Sequence, residues 1–373
     1  MSSQAIGRSI VGFLLLLFVS AANAQSGYSL TDLGVGAGYG INSADQVTGS
    51  SNGQAFIYSN GVITELGTLG GASSVGYGIN SAGQVTGQAD TSSGVADAFL
   101  YSNGTMRDLG SLPGSSSSAG YAINNAGQVT GYSDTSGNGS HAFLYSNGTM
   151  HDLGTLPGGY NGVGTGINAA GQISGWSGTY LLEDHPILYS SGTMTDLGYF
   201  PGGGLSGQGH GNAINAAGAV TGYSTGSFVS GGSQTVYKHA FLYSSGTLHD
   251  LGTLGGFSYS AGYGINTSDQ VVGTATNDSN FTSAGHAFLY GSSTILDLNS
   301  LDSSSPLALY VTLTSANAIN DNGWIVADGV DSRTGQQHAY LMTPLSAVPL
   351  PGGFVLLLSG CTVLMGLAKR QRL

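Results

Sequence analysis

One dipeptide, Ile-Asn, returns seven times along the chain, at Ile41, Ile79, Ile123, Ile167, Ile214, Ile265 and Ile319. Successive copies lie 38, 44, 44, 47, 51 and 54 residues apart. A unit repeated at this period cannot bury an apolar face alone, so neighbouring units must stack. Each copy carries four short segments rich in β-formers; in the third copy they are residues 121–124, 128–132, 141–145 and 150–154. Turn chemistry separates them. Gly127 closes Asn124-Asn-Ala-Gly, where a hairpin loop needs positive φ, and Asn147-Gly148 is a strong two-residue hairpin signal. Each repeat therefore reads as a four-stranded antiparallel meander. Four strands in about 40–50 residues is the pattern of a propeller blade.

Two connections within the repeat never change length. From each Ile to the next Val or Ile (Val47, Val85, Val129, Ile173, Val220, Val271, Ile325) is always six residues. From the third-strand apolar residue (Phe56, Phe99, Phe143, Ile187, Phe241, Phe288) to the following Leu is always ten. The second-to-third connection varies from nine to 21 residues, and the fourth-to-first varies as well. In a meander the invariant turns share one edge and the variable loops share the other. The fourth-strand motif appears once before any Ile-Asn, at Asp32-Leu33-Gly34, and the last repeat, ending at residues 338–342, lacks a fourth strand. The expected fold is all-β: a seven-bladed β-propeller of four-stranded antiparallel blades. Residues 28–34 should pair beside 338–342, so that the N-terminal strand closes the ring and no edge stays open.

Charge excludes several classes of partner. Only 7% of residues are charged, and between the two ends three bases (Arg107, Lys238, Arg333) face all 19 acids, giving 3 − 19 = −16. That balance argues against nucleic acid, which needs a basic face, and against docking on anionic lipid.

The ends carry their own signals. Arg8, an apolar run from Ile10 to Val19 and the small-x-small site at Ala22-Asn23-Ala24 read as a signal peptide over 1–24, cleaved between Ala24 and Gln25. Residues 25–345 form the repeat domain. Within 346–373, Val348-Pro349-Leu350-Pro351 precedes an apolar segment from Gly352 to Ala368, followed by Lys369-Arg370-Gln371-Arg372. Seventeen residues reach roughly 26 Å as a helix, enough to cross a bilayer, with the basic cluster on the cytoplasmic side. A plain tail anchor would look the same. The order of the three parts resembles the PEP-CTERM sorting signal in its VPLP variant, although Gln371 interrupts the basic run and Leu350 stands where the family name has Glu. That resemblance implies an exosortase as partner, a transmembrane helix, and export to the envelope or outside of a Gram-negative cell that makes exopolysaccharide. The sole cysteine, Cys361, lies in the apolar segment, so the exported domain has no disulfide.

The recurring His-Ala-Phe, Tyr-Ser-Asn-Gly-Thr and Asp-Leu-Gly-Thr-Leu-Pro-Gly-Gly strings resemble the extracellular HAF-repeat family across residues 28–343. The likeness implies fold and location and brings no activity with it.

Candidate chemistry is sparse. His141, His185, His239, His286 and His338 share one repeat position, with Gln54 and Asp97 in the other copies. On the third strand of a blade they stand too far apart to converge on a metal, so they read as hydrogen-bonding groups to a neighbouring loop or blade. Asp32, Asp108, Asp152, Asp196, Asp250, Asp297 and Glu65 are seven equivalent acids, whereas a catalytic carboxylate is normally singular. Asn277-Asp278-Ser279-Asn280 and Asp321-Asn322-Gly323 are oxygen-rich without the spacing of a calcium loop. No nucleotide loop, HExxH or Ser-His-Asp trio is present. These readings predict no cofactor, no metal and no catalytic residue. The variable loops carry Tyr160, Trp176, Tyr180, Phe200, Phe228, Tyr237, Phe257, Tyr259 and Phe281 among Ser, Asn and Gly. Such aromatics suit sugar rings or matrix proteins, or else pack the loops themselves. The expectation is a non-enzymatic structural or binding protein of the extracellular matrix, linked to exopolysaccharide, with a glycan-cleaving propeller enzyme as the alternative.

Overall fold

The computed structural model describes residues 27–345 apart from 138, 181–182, 203–206, 231–232 and 301–304. The segments read from sequence as a signal peptide, with its cleavage site at Ala24 and Gln25, as a sorting motif at Val348–Pro351 and as a transmembrane helix lie outside the described residues. Among the described residues no helix is long and apolar enough to cross a membrane.

The turn signals act as expected. Asn147 (φ 51°) and Gly148 (φ 83°) both adopt positive φ between the third and fourth strands of their repeat, and Asn60-Gly61 and Asn103-Gly104 do the same. The result is a series of antiparallel four-stranded meanders. Four are separate sheets, within residues 37–65, 70–110, 118–154 and 162–196. The next two, within 209–252 and 259–297, are joined by a single parallel pairing of Lys238 with Tyr259. The last comprises Val311–Ile319, Ile325–Asp331 and Gln336–Pro344, with Tyr28–Val35 as its outer strand. That strand pairs Tyr28 with Pro344, Leu30 with Met342 and Asp32 with Tyr340. The expected union of the two ends of the repeat domain is thus present.

The core lies between sheets. Each second strand begins with a fully buried Val or Ile, and each third strand carries a buried Phe56, Phe99, Phe143, Ile187, Phe241, Phe288 or Tyr340. Leu66, at the end of one sheet, packs with Ile79, Val85 and Phe99 of the next. Leu33 does the same across the seam, against Val47, Phe56, Val326 and Leu341. A Cβ on Gly76, Gly120, Gly164 or Gly262 would run into a Thr Oγ1 of the preceding sheet, so glycine on the first strand sets how closely neighbours approach.

The Ile-Asn asparagines join these sheets. Within each turn the Asn Oδ1 accepts from two backbone N–H groups; for Asn124 these are Ala126 N (3.0 Å) and Gln128 N (3.1 Å). Its Nδ2 donates to the carbonyl of the next asparagine in the series. The bonds run from Asn42 to Asn80, then to Asn124, Asn168, Asn215, Asn266 and Asn320, and from Asn320 back to Asn42, at 2.8–3.3 Å. The repeats therefore surround a common centre, and the architecture is propeller-like.

Two expectations need correction. The longest second-to-third connection, that of the fifth repeat, is not one of the expected variable loops but a hairpin: Val220–Ser230 pairs with Ser233–Ser244 from Val220↔Tyr243 to Ser230↔Ser233. The repeated histidines bond within their own sheet and not to a neighbouring one. His141 Nδ1 meets Asp152 (2.9 Å), His185 meets Asp196 (2.7 Å), His239 meets Asp250 (3.0 Å) and His286 meets Asp297 (2.8 Å). His338 takes Asp32 of the N-terminal strand at 2.9 Å.

Candidate functional site at the centre of the sheets

The residue two before each Ile of the first strands faces the centre. These seven are Tyr39, Tyr77, Tyr121, Thr165, Asn212, Tyr263 and Asn317, and all line one cavity of about 730 Å³. A cavity lined by the same position of every repeat is axial. It narrows toward the isoleucines and reopens as a smaller space of about 290 Å³ among the Ile-Asn turns.

A second circle of variable residues stands three positions after the buried Val or Ile of each second strand: Ser50, Gln88, Tyr132, Trp176, Tyr223, Thr274 and Asp328. Trp176, Thr274 and Asp328 line the cavity. The flanking framework is nearly constant, Val-Thr-Gly in four of the copies, because it packs between sheets. The two variable circles are where one repeat can differ chemically from the next without disturbing that packing.

Aromatic rings form two arcs. In the first, Tyr39, Tyr77, Tyr121 and Tyr132 follow one another at centroid distances of 5.3, 5.1 and 5.9 Å. Burial, with smaller contributions from neighbouring phenols and, at Tyr39, from Asp328, raises the pKa of Tyr39, Tyr77 and Tyr121 above the ordinary phenol value. Burial pushes Tyr263 up to about 12. All four remain neutral hydroxyls at physiological pH. In the second arc Trp176 stacks on His210 (4.7 Å, 11°), followed by Tyr223 (4.9 Å) and Phe281 (5.4 Å). Asp184 Oδ2 holds His210 Nε2 at 3.3 Å. Lys238 lies over the Tyr223 ring and donates to the Ser279 carbonyl at 2.8 Å.

The cavity wall at residues 281–285 is held by Asp278, which accepts from the Thr282 hydroxyl and from the N–H groups of Asn280, Thr282 and Ser283. These bonds, that from the Thr282 hydroxyl foremost, hold its carboxyl down to about 2. The oxygens of this loop thus serve its own backbone. Among the described residues no three His, Cys, Asp or Glu groups stand close enough to hold a metal ion.

Asp328 is the distinctive group. It is 6% exposed; Oδ1 accepts from Gly38 N (3.0 Å) and Oδ2 from Asn317 Nδ2 (2.9 Å). Burial pushes its pKa up to about 6, although those two bonds oppose the shift. Sequence reasoning passed over it and over the tyrosine circle. The usable signal was a single column, mixed among seven copies whose neighbours are uniform.

The expected binding aromatics do not form one surface. Trp176 and Phe281 meet at the axial cavity. Tyr160 borders a separate cavity of about 620 Å³ with Pro113, His141 and Asp152, and Tyr180 is exposed. Phe200, expected on the surface, is only 3% exposed and stacks on Tyr237, so it packs its own loop. Phe257 contacts His286 at 5.0 Å, and Tyr259 belongs to the strand that meets Lys238. The Phe228 side chain lies outside the described residues.

No family model matches the chain, and neither does any curated protein. Several solved structures are similar to it. A gluconolactonase from Xanthomonas campestris shares 10% identity at a TM-score of 0.42, covering 87% of this chain and 93% of that one. TolB from Acinetobacter baumannii shares 14% at 0.37, covering 70% of this chain and 63% of its own. The Aleuria aurantia lectin, in complex with alpha-methyl-L-fucoside, shares 11% at 0.32, covering 88% and 97%. No role passes from them to this chain. The expectation of a non-enzymatic protein is nevertheless corrected. One of the similar structures is an enzyme, and Asp328 is the singular carboxylate whose apparent absence carried that expectation.

Proposed function

We propose that this chain is an exported, seven-bladed β-propeller that binds an extracellular saccharide in its axial cavity. The observation that carries the reading is the cavity itself: about 730 Å³, lined by four tyrosines, Trp176, two asparagine amides and several hydroxyls. Rings that stack on the apolar face of a sugar, beside groups that bond its hydroxyls, are what a polyhydroxylated ligand requires. The asparagine circle through seven repeats and the pairing of residue 28 with 344 support the blade count and its closure. The signal-peptide pattern and the HAF-like strings support export. The VPLP-type tail supports sorting by an exosortase and favours an exopolysaccharide of the producing cell as the saccharide. A second reading has its own observation. Asp328, singular, buried and with its pKa pushed up to about 6, has the properties of a general acid or base, so the bound glycan could also be cleaved.

Calorimetric titration of the mature protein with the cell's own exopolysaccharide tests the first reading, and assay of new reducing ends in the same mixture tests the second. Saturable binding that weakens at least about tenfold in Trp176→Ala and in Tyr77→Ala is the expected result. Undiminished binding in both variants refutes the axial site. Mapping the C-terminus of the secreted protein tests the tail, and an intact end at Leu373 in every fraction refutes sorting.

A further inference from the structure

Asp328 is, among the described residues lining the axial cavity, the one that carries a charge at neutral pH; no Lys, Arg or His lines it. The three bases of the repeat domain have other partners. Arg333 is bound to Asp331, Lys238 donates to the Ser279 carbonyl, and Arg107 lies over the Tyr145 ring at 5.8 Å. The partners of Asp328 are an amide N–H and a side-chain amide, both neutral. A carboxylate has about four acceptor positions on its two oxygens, so two neutral donors leave it short of both bonds and charge. A buried ion without a counter-charge is unfavourable, and protein interiors pair such groups.

The remaining walls suit the missing partner. Tyr39, Tyr77, Tyr121 and Tyr263 line the same space, and the face of a phenol ring attracts a cation. Asn317, which donates to Asp328, also donates to Gly38 O at 2.7 Å, so the carboxylate is held firmly against the wall. The domain's formal charge, 3 − 19 = −16, draws cations toward it and repels anions.

We infer that the saccharide bound in this cavity carries a free amino group, its ammonium paired with Asp328 and enclosed by the tyrosines while the sugar face lies on Trp176. This deepens the saccharide reading above and rests on it.

Three hexasaccharides with the same β-1,4 backbone separate the two claims: the glucosamine oligomer, its N-acetylated form, and the glucose oligomer. Titrations of the mature protein are run at high salt, which screens general attraction to an acidic surface. The expected result is that the glucosamine oligomer binds at least about tenfold more tightly than the other two, the scale of a close desolvated charge pair. Asp328→Asn should bring the three affinities together. If all three sugars bind equally to the unaltered protein, the amine inference fails and the saccharide reading stands. If none binds, both fail. A preference that survives Asp328→Asn also overturns the assignment, because the amine would then be held elsewhere. The comparison on the unaltered protein decides the matter even if the variant folds poorly.

Discussion

Replacing Asp328 by Asn should make the protein more stable at alkaline pH than at acid pH, relative to the parent. The folded carboxyl has its pKa raised from 3.8 to about 6 by burial, so the native state holds the proton more tightly than the unfolded chain. Stability then falls as pH rises through that window and levels off above it. A shift of roughly two units corresponds to about 3 kcal/mol, most of it incurred between pH 4 and 7. Asparagine copies the protonated acid in shape, and any hydrogen bond it fails to make is lost at every pH. Unfolding entropy of about 2 cal/mol/K per residue over roughly 320 residues converts the difference into about 4 °C. Scanning calorimetry of both proteins at pH 4 and pH 8 measures it. The variant's melting temperature relative to the parent should rise by about 4 °C between those two conditions. An offset that does not change with pH would show that Asp328 is not desolvated, and would remove the basis for its role in the cavity.

Deleting residues 27–35 removes the outer strand of the last sheet, including Asp32, the side-chain partner of His338. Melting should fall by more than about 10 °C or soluble protein should be lost, and an unchanged midpoint refutes closure. Gly131→Ala places a Cβ inside the Ala119 carbonyl oxygen, so the chain should lose about 3 kcal/mol or fail to fold, as urea titration will show. Asn124→Ala removes two turn caps and the link to Asn168, at a cost of about 2–4 kcal/mol by the same titration. The neighbouring Asn125→Ala, which loses one exposed bond to Ser81 N, should cost less than about 1 kcal/mol.

The strands and the seam were legible because turn chemistry is local. Asn147-Gly148 dictates its hairpin whatever surrounds it, and a stray Asp-Leu-Gly before the first repeat can only be a missing fourth strand. The His–Asp pairs were half legible. Both columns were visible, and the constant eleven-residue offset between His141 and Asp152, or His185 and Asp196, was available to join them. The axial site was hidden for a physical reason. Alternation along a strand shows that Tyr77 and Asp328 face away from their framework neighbours, but not whether that direction is solvent or the centre of a ring. Seven copies must be set around an axis before Asp328 is seen to be enclosed. Phe200 failed in the opposite sense. It sits in a Gly-rich loop that reads as exposed, yet the long hairpin beside it supplies Tyr237 to cover it.

The seam has a consequence in time. Asp32 and His338 are separated by 306 residues. A ribosome adding about 5–20 residues each second leaves roughly 15–60 s between the appearance of the first strand and that of its partner. Each intermediate meander can close as soon as its own four strands emerge, because their contacts are local. Tyr28–Val35 cannot; through that interval it is an unpaired edge with Tyr28, Leu30 and Leu33 uncovered. Within the repeat domain the segment most exposed to mispairing is therefore the first strand made, and closure of the seam waits on the last strand.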